Sequence, residues 1–235
     1  FKIAFRNFWR HKLFTLINVI GLSIGISASV VIFLIVHYDF TFDKFHQDSD
    51  RIYRVVSDFT FQGQKSYSYG VTGPLAAAVK NEVTGIEYAA PLYTLNPDVS
   101  IPNEKNGNTP KIFKGQDRVT LADKQYFKIF KYKWLAGSAE NSLNEPNQVV
   151  LTSKQAQLYF PSLSYQQMLG KIVTYDTLKT TVTGIVQTLT ENTDFTFHDF
   201  ISFSSGTANK TLADNMQLTS WGSTNSASGL FIKIL

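Results

Sequence analysis

Residues 13–36 read LFTLINVIGLSIGISASVVIFLIV, a run of 24 residues without a charge, with Lys2, Arg6, Arg10 and Lys12 before it and Asp39, Asp43, Asp48 and Asp50 after it. At a helical rise of about 1.5 Å per residue the run extends roughly 36 Å, enough to cross a hydrocarbon layer of about 30 Å with some tilt. Cationic flanks stay cytoplasmic, so the pattern predicts an N-terminus inside and residues 39–235 outside, on a chain held in the cytoplasmic (inner) membrane. A cleaved signal peptide needs an apolar core of about 7 to 15 residues and then small residues. Here the small residues Ser27-Ala28-Ser29 are followed by the greasy stretch Val30 to Val36, so an uncleaved anchor is the better reading. A buried helix of a soluble fold is disfavoured by the length of the uncharged run.

The charge balance points the same way. The chain has 22 Lys and Arg against 18 Asp and Glu, and four of the basic residues fall before residue 13, which leaves 18 of each sign in the remainder. The whole net charge of +4 is therefore juxtamembrane, and no basic face is left to neutralise the phosphates of a nucleic acid. Phe1, Phe5, Phe8 and Trp9 recur at helical spacing opposite Lys2, Arg6 and Arg10, which predicts an amphipathic helix over 1–12 lying in the bilayer interface. Its membrane-interface residues are Lys2, Arg6, Trp9, Arg10 and Lys12. A solvated basic stub explains the charges but not the four aligned aromatics. Within the predicted transmembrane helix, 13–38, Gly21, Gly25 and Ser29 fall four residues apart and form a smooth helix-packing strip; Asn18 is a polar group that can hydrogen-bond across such a contact.

Past an aromatic collar of Tyr38, Phe40, Phe42 and Phe45, the outer part has no cysteine and must hold together by its core alone. Alternation and turn residues predict strands at 51–61, 87–95, 148–151, 195–203 and 230–235, and a hairpin of 172–175 against 181–186. Helices are predicted at 75–83 behind Pro74, after the cap Asp123 with Tyr126, Phe127 and Phe130, at 154–160 behind the capping-box pattern Thr152-Ser153-Lys154-Gln155, and at 212–218. Asn106-Gly107 is a hairpin-turn signal. The fold class is α+β: one N-terminal transmembrane helix followed by a mixed extracytoplasmic domain over 39–235, in two lobes.

Signs of catalysis are missing. His11, His37, His46 and His198 have no zinc-ligand spacing, and the phosphate, dinucleotide, acyl-transfer and metalloprotease motifs are absent. Asp39, Asp43, His46, Asp48 and Asp50 lack the glycine and glutamate of a calcium loop and read as a solvated collar. The chain is read as a non-enzyme with no catalytic residue, cofactor or metal of its own.

Several ordered stretches resemble the MacB/FtsX-type ABC transporter permeases, whose outer part is the MacB-like periplasmic core domain. These are residues 5–12 (FRNFWRHK), 21–25 (GLSIG), 126–130 (YFKIF) with 134–137 (WLAG), 143–152 (LNEPNQVVLT), 156–160, and 169–173 (LGKIV) leading to 182–186 (VTGIV). Gln187-Thr188 stands where the family usually has a proline after the 184–186 strand, which leaves that loop open. The resemblance implies a non-catalytic permease subunit that relays ATP-driven motion from a cytoplasmic ATPase to the outer domain, for export or for lipoprotein or peptide handling. It also implies a separate or fused ABC ATPase that holds the ATP, a second permease copy or homologue, a lipid bilayer, a periplasmic adaptor, and further membrane helices beyond the strand 231–235. A single-span anchored sensor or binding ectodomain is the alternative from the residues alone.

Overall fold

The computed structural model describes residue 10 and residues 12–102 and 109–235. The predicted interfacial segment with Lys2, Arg6 and Trp9, and the Asn106-Gly107 turn, lie outside the described residues. Helix α1, Lys12–Asp39, is continuous over 28 residues and buries none of them. A helix apolar on every side finds its stable surroundings in lipid or in a protein core, and α1 is long and apolar enough to cross a membrane. The chain divides into two compact units, Phe1–Lys44 and Phe45–Leu235.

Among the described residues the second unit is built on one sheet of eleven strands: β1 (Ile52–Val55), β4 (Ile86–Leu95), β5 (Val99–Ile101), β6 (Lys111–Phe113), β7 (Val119–Ala122), β8 (Trp134–Ala136), β9 (Gln148–Thr152), β10 (Ile172–Tyr175), β11 (Leu178–Val186), β12 (Asp199–Ser202) and β13 (Ser228–Ile234). Their order is β1-β13-β4-β7-β12-β9-β11-β10-β5-β6, with β8 pairing β11 off that path. The β9–β11 and β7–β12 pairs are parallel and the rest antiparallel. Strands β2 (Ser57–Phe61) and β3 (Gln64–Ser68) form a separate hairpin. The two predicted lobes are thus joined by one continuous sheet into one unit.

Both faces of the central strands are covered, which is why β9 reads as an unbroken apolar run. Val149 and Leu151 pack on one side with Ile185, Ile201 and Met168, where α4 (Ser153–Tyr159) and α5 (Tyr165–Met168) lie. Val150 faces the other way into an aromatic cluster of Tyr126, Phe127, Phe130, Tyr132 and Phe200. Tyr126 and Phe127 come from α3 (Lys124–Ile129), which follows α2 (Leu75–Glu82), and Phe130 ends it, with Asp123 accepting a 2.9 Å hydrogen bond from the Gln125 N–H as its cap.

Three local readings change. The predicted 51–61 strand breaks at Val56: β1 joins β13, whereas β2 turns through Gln62-Gly63, both at positive φ, to pair with β3. The helix over residues 203–208, α6 (Phe203–Ala208), has weak intrinsic propensity and precedes α7 (Lys210–Met216); packing makes it, since Gly206 lies against Met216 and Leu121. The capping box at Thr152 does not form, because Thr152 ends β9 with its side chain buried and makes no cap bond. The Lys154 N–H donates instead to Thr188 Oγ1 at 3.0 Å, and the Thr188 N–H to Ser153 Oγ at 3.1 Å. Thr188, of the Gln187-Thr188 pair, thus ties the loop after β11 to the start of α4. A capping box does form one helix later, between Ser164 and Gln167.

Burial pushes the Asp123 carboxyl up from 3.8 to about 6, against the lowering pull of the Gln125 N–H. A carboxyl whose folded value is raised binds its proton more tightly in the native state, so it lowers stability as pH rises from about 4 to about 6, by roughly 3 kcal/mol in all. Asp123→Asn keeps a cap acceptor and removes that loss. Urea unfolding of this variant should show a gain over wild type that is near zero at pH 4 and largest above pH 6.

Candidate functional site

The second unit opens with the lead-in 45–51. This lead-in is pinned along its length. His46 is buried, its ring tilted against that of Phe45 at 4.1 Å and edge-on to Phe130 at 5.0 Å and Phe195 at 5.6 Å. Gln47 Oε1 accepts from Lys131 Nζ at 2.6 Å. Asp48 and Arg51 then join the last strand. Lys233 Nζ lies 2.9 Å from Asp48 Oδ2 and 3.5 Å from Glu87 Oε2, with its side chain only 6% exposed. Arg51 donates to Glu87 Oε2 at 2.8 Å and, through Nε and Nη2, to the Ile234 carbonyl at 2.9 and 2.6 Å.

Strand order explains how these four side chains meet. β13 lies between β1 and β4, with Ile52 opposite Lys233 and Lys233 opposite Tyr88. Alternation puts Lys233 on the Phe231 side of the strand. Two carboxylates reach the cation there, and the second cation, Arg51, brings the four groups to neutrality. The bond from Lys233 holds the Asp48 carboxyl below the ordinary value, and the Asp48 carboxylate raises the Lys233 ammonium. The clasp's contribution is therefore present between the ordinary carboxylate and lysine values, lost in acid as Asp48 protonates and lost in strong alkali as Lys233 deprotonates.

The solvated-collar reading of the acidic cluster is overturned at two positions: Asp48 is in the clasp and His46 in the core. Lys233 carried a signal in the sequence, a lone cation at an inward position of the apolar strand Phe231-Ile232-Lys233-Ile234; its partners, 146 and 185 residues away along the chain, carried none. Among the described residues no group of three His, Asp or Glu side chains is placed to hold a metal ion.

On α1, Gly21, Gly25 and Ser29 line a shallow groove with Ile17, Asn18 and Phe33. Apart from the neighbouring residues and the helix's own backbone, no described atom lies within 4 Å of where a Cβ would stand on Gly21 or Gly25, and Ser29 Oγ turns back to the Gly25 carbonyl at 2.9 Å. Arg10 and Lys12 are exposed at the start of this unit.

The model of the MacB-like periplasmic core domain family matches residues 15–233. A domain of a candidate permease protein from Porphyromonas gingivalis superposes with a TM-score of 0.61 at 18% identity, over 79% of this chain and 73% of that one. The periplasmic region of MacB from Actinobacillus actinomycetemcomitans gives 0.52 at 16% identity, over 78% and 74%. At these identities the likeness is one of fold. No curated protein matches the chain significantly.

Proposed function

The chain belongs to the MacB-like periplasmic core domain family, and from that premise we propose that it is the moving outer part, with its first membrane helix, of a non-catalytic ABC transporter permease. In this reading α1 crosses the cytoplasmic membrane with residues 1–12 at the inner interface, and residues 39–235 lie outside. ATP is spent by a partner ABC ATPase, and a second permease copy or homologue completes the transporter, which exports or handles lipoproteins, peptides or similar cargo with a periplasmic adaptor. Gly21, Gly25 and Ser29 form the close-approach surface for a neighbouring membrane helix.

The observation that carries the reading is the clasp. The segment that follows α1 is fastened to the last strand by Lys233, Asp48, Arg51 and Glu87, so displacement of either chain passage moves the same rigid sheet edge. A loose tether would suit an anchored binding domain better, because an anchor has no motion to transmit. The topology is tested with paired fusions after Leu235. A reporter enzyme that folds only outside the cytoplasm should be active and one that works only inside should be silent; the reverse pattern overturns the reading.

A further inference from the structure

Away from the clasp, a cavity of about 280 Å³ opens between the start of α4, the loop 188–198 and the residue before β7. Arg118, Lys154 and His198 bring basic groups to it; among its lining residues Glu191 is the acidic one, Arg118 Nε also lies 3.7 Å from Asp117 Oδ2 beside the cavity, and the Asp199 carboxylate lies behind His198. The Glu191 carboxylate already accepts the Thr190 N–H at 2.9 Å. Tyr132, Leu189, Phe195 and Phe197 make an apolar wall.

The polar floor is built rather than incidental. Asp199, 0% exposed, accepts from Tyr159 OH at 2.8 Å and Tyr175 OH at 2.7 Å on Oδ2, and its Oδ1 lies 3.0 Å from His198 Nδ1. A buried carboxylate that fixes one ring nitrogen of a histidine orients the ring and leaves Nε2 for another partner. Thr152, 3% exposed, lines the same cavity, and its hydroxyl has no hydrogen-bond partner among the described residues. Arg118 sits at φ 59°, a strained backbone for a non-glycine residue, with its carbonyl held by the His198 N–H at 3.1 Å.

We propose that this cavity binds a small organic oxyanion, a carboxylate or phosphate ester on a flat apolar group, with Arg118 and Lys154 taking the charge, Thr152 and His198 its polar edge, and the aromatic wall its ring. The lining itself sets two exposed cations, Arg118 and Lys154, against the one carboxylate of Glu191, the long contact to Asp117 engages only Nε of the Arg118 guanidinium, and the volume suits roughly one ring with its headgroup. The inference is independent of the permease reading, since a sensor or a transporter could use the site equally.

The test uses the full chain in lipid nanodiscs and four probes: phenyl phosphate, benzoate, inorganic phosphate and neutral benzamide. Phenyl phosphate or benzoate should bind saturably, with a Kd of about 1 mM or lower, and benzamide and inorganic phosphate about tenfold more weakly. Arg118→Met and Lys154→Met should each weaken the tighter probe about tenfold, the scale of one charge-assisted hydrogen bond, without changing the unfolding temperature. Whichever of the two aromatic anions binds more tightly identifies the headgroup. Benzamide binding as well as benzoate, binding unchanged in both variants, or no saturable binding by either anion overturns the proposal.

Discussion

Gly137→Ala should be among the most damaging single substitutions in the outer unit, lowering its unfolding free energy by about 3 kcal/mol or more, through backbone strain and a clash together. Gly137 sits at φ 72°, and a Cβ there would stand 2.3 Å from the Thr183 carbonyl oxygen and 2.9 Å from Gly184 Cα. Backbone cannot step aside as a flexible side chain can. A second close approach lies beside it, because a Cβ on Gly184 would meet the Trp134 ring at 2.4 Å. Two stretches that carry the family resemblance, Trp134-Leu135-Ala136-Gly137 and Val182-Thr183-Gly184-Ile185-Val186, are thus two halves of one lock in which β8 lies on the end of β11, Ala136 opposite Ile185 and Trp134 opposite Val186. Denaturant unfolding measures the loss; wild-type stability in Gly137→Ala would show that β8 does not need this close approach.

Asp199→Ala should cost a comparable amount, about 3 to 5 kcal/mol, since it leaves two buried tyrosine hydroxyls and a histidine nitrogen without their acceptor. Burial, followed by the neighbouring Asp199 charge, already pushes the Tyr175 hydroxyl well above its ordinary value, so it stays a donor at any working pH. Asp199→Asn keeps one acceptor oxygen for the tyrosines and should lose less than half as much. Thermal unfolding of the two variants separates the effects. Equal losses would mean that the carboxylate's charge, and not its hydrogen bonds, holds the site.

Much of this architecture is local and was readable in the chain. The uncharged run 13–36 became α1, the cap Asp123 opened α3, and the alternation at 172–175 and 181–186 became the β10–β11 hairpin, whose second strand starts three residues earlier, at Leu178, and turns through Asp176-Thr177. What was not readable depends on distant partners. β7 is four residues buried on both faces, with no alternation to show itself, and β13 earns its place between β1 and β4 by pairing across most of the chain. Thr152 had the local pattern of a cap, but its strand role won and Thr188 took over the capping. The clasp was hidden for the same reason: Asp48 looks like surface charge until β13 brings Lys233 to it.

The proposed transmission of motion through that clasp is tested most directly in the full-length protein reconstituted with the ABC ATPase that the proposal calls for, by comparing ATP-driven change in the distance between spin labels on the two outer domains of the proposed pair for wild type and for Lys233→Met and Arg51→Gln. Unfolding temperature, read on the same samples, confirms that the outer unit remains folded. The clasp predicts a clear ATP-dependent distance change in wild type, and its loss or strong reduction in both variants while ATP binding by the partner persists. An undiminished distance change in folded Lys233→Met and Arg51→Gln would contradict it.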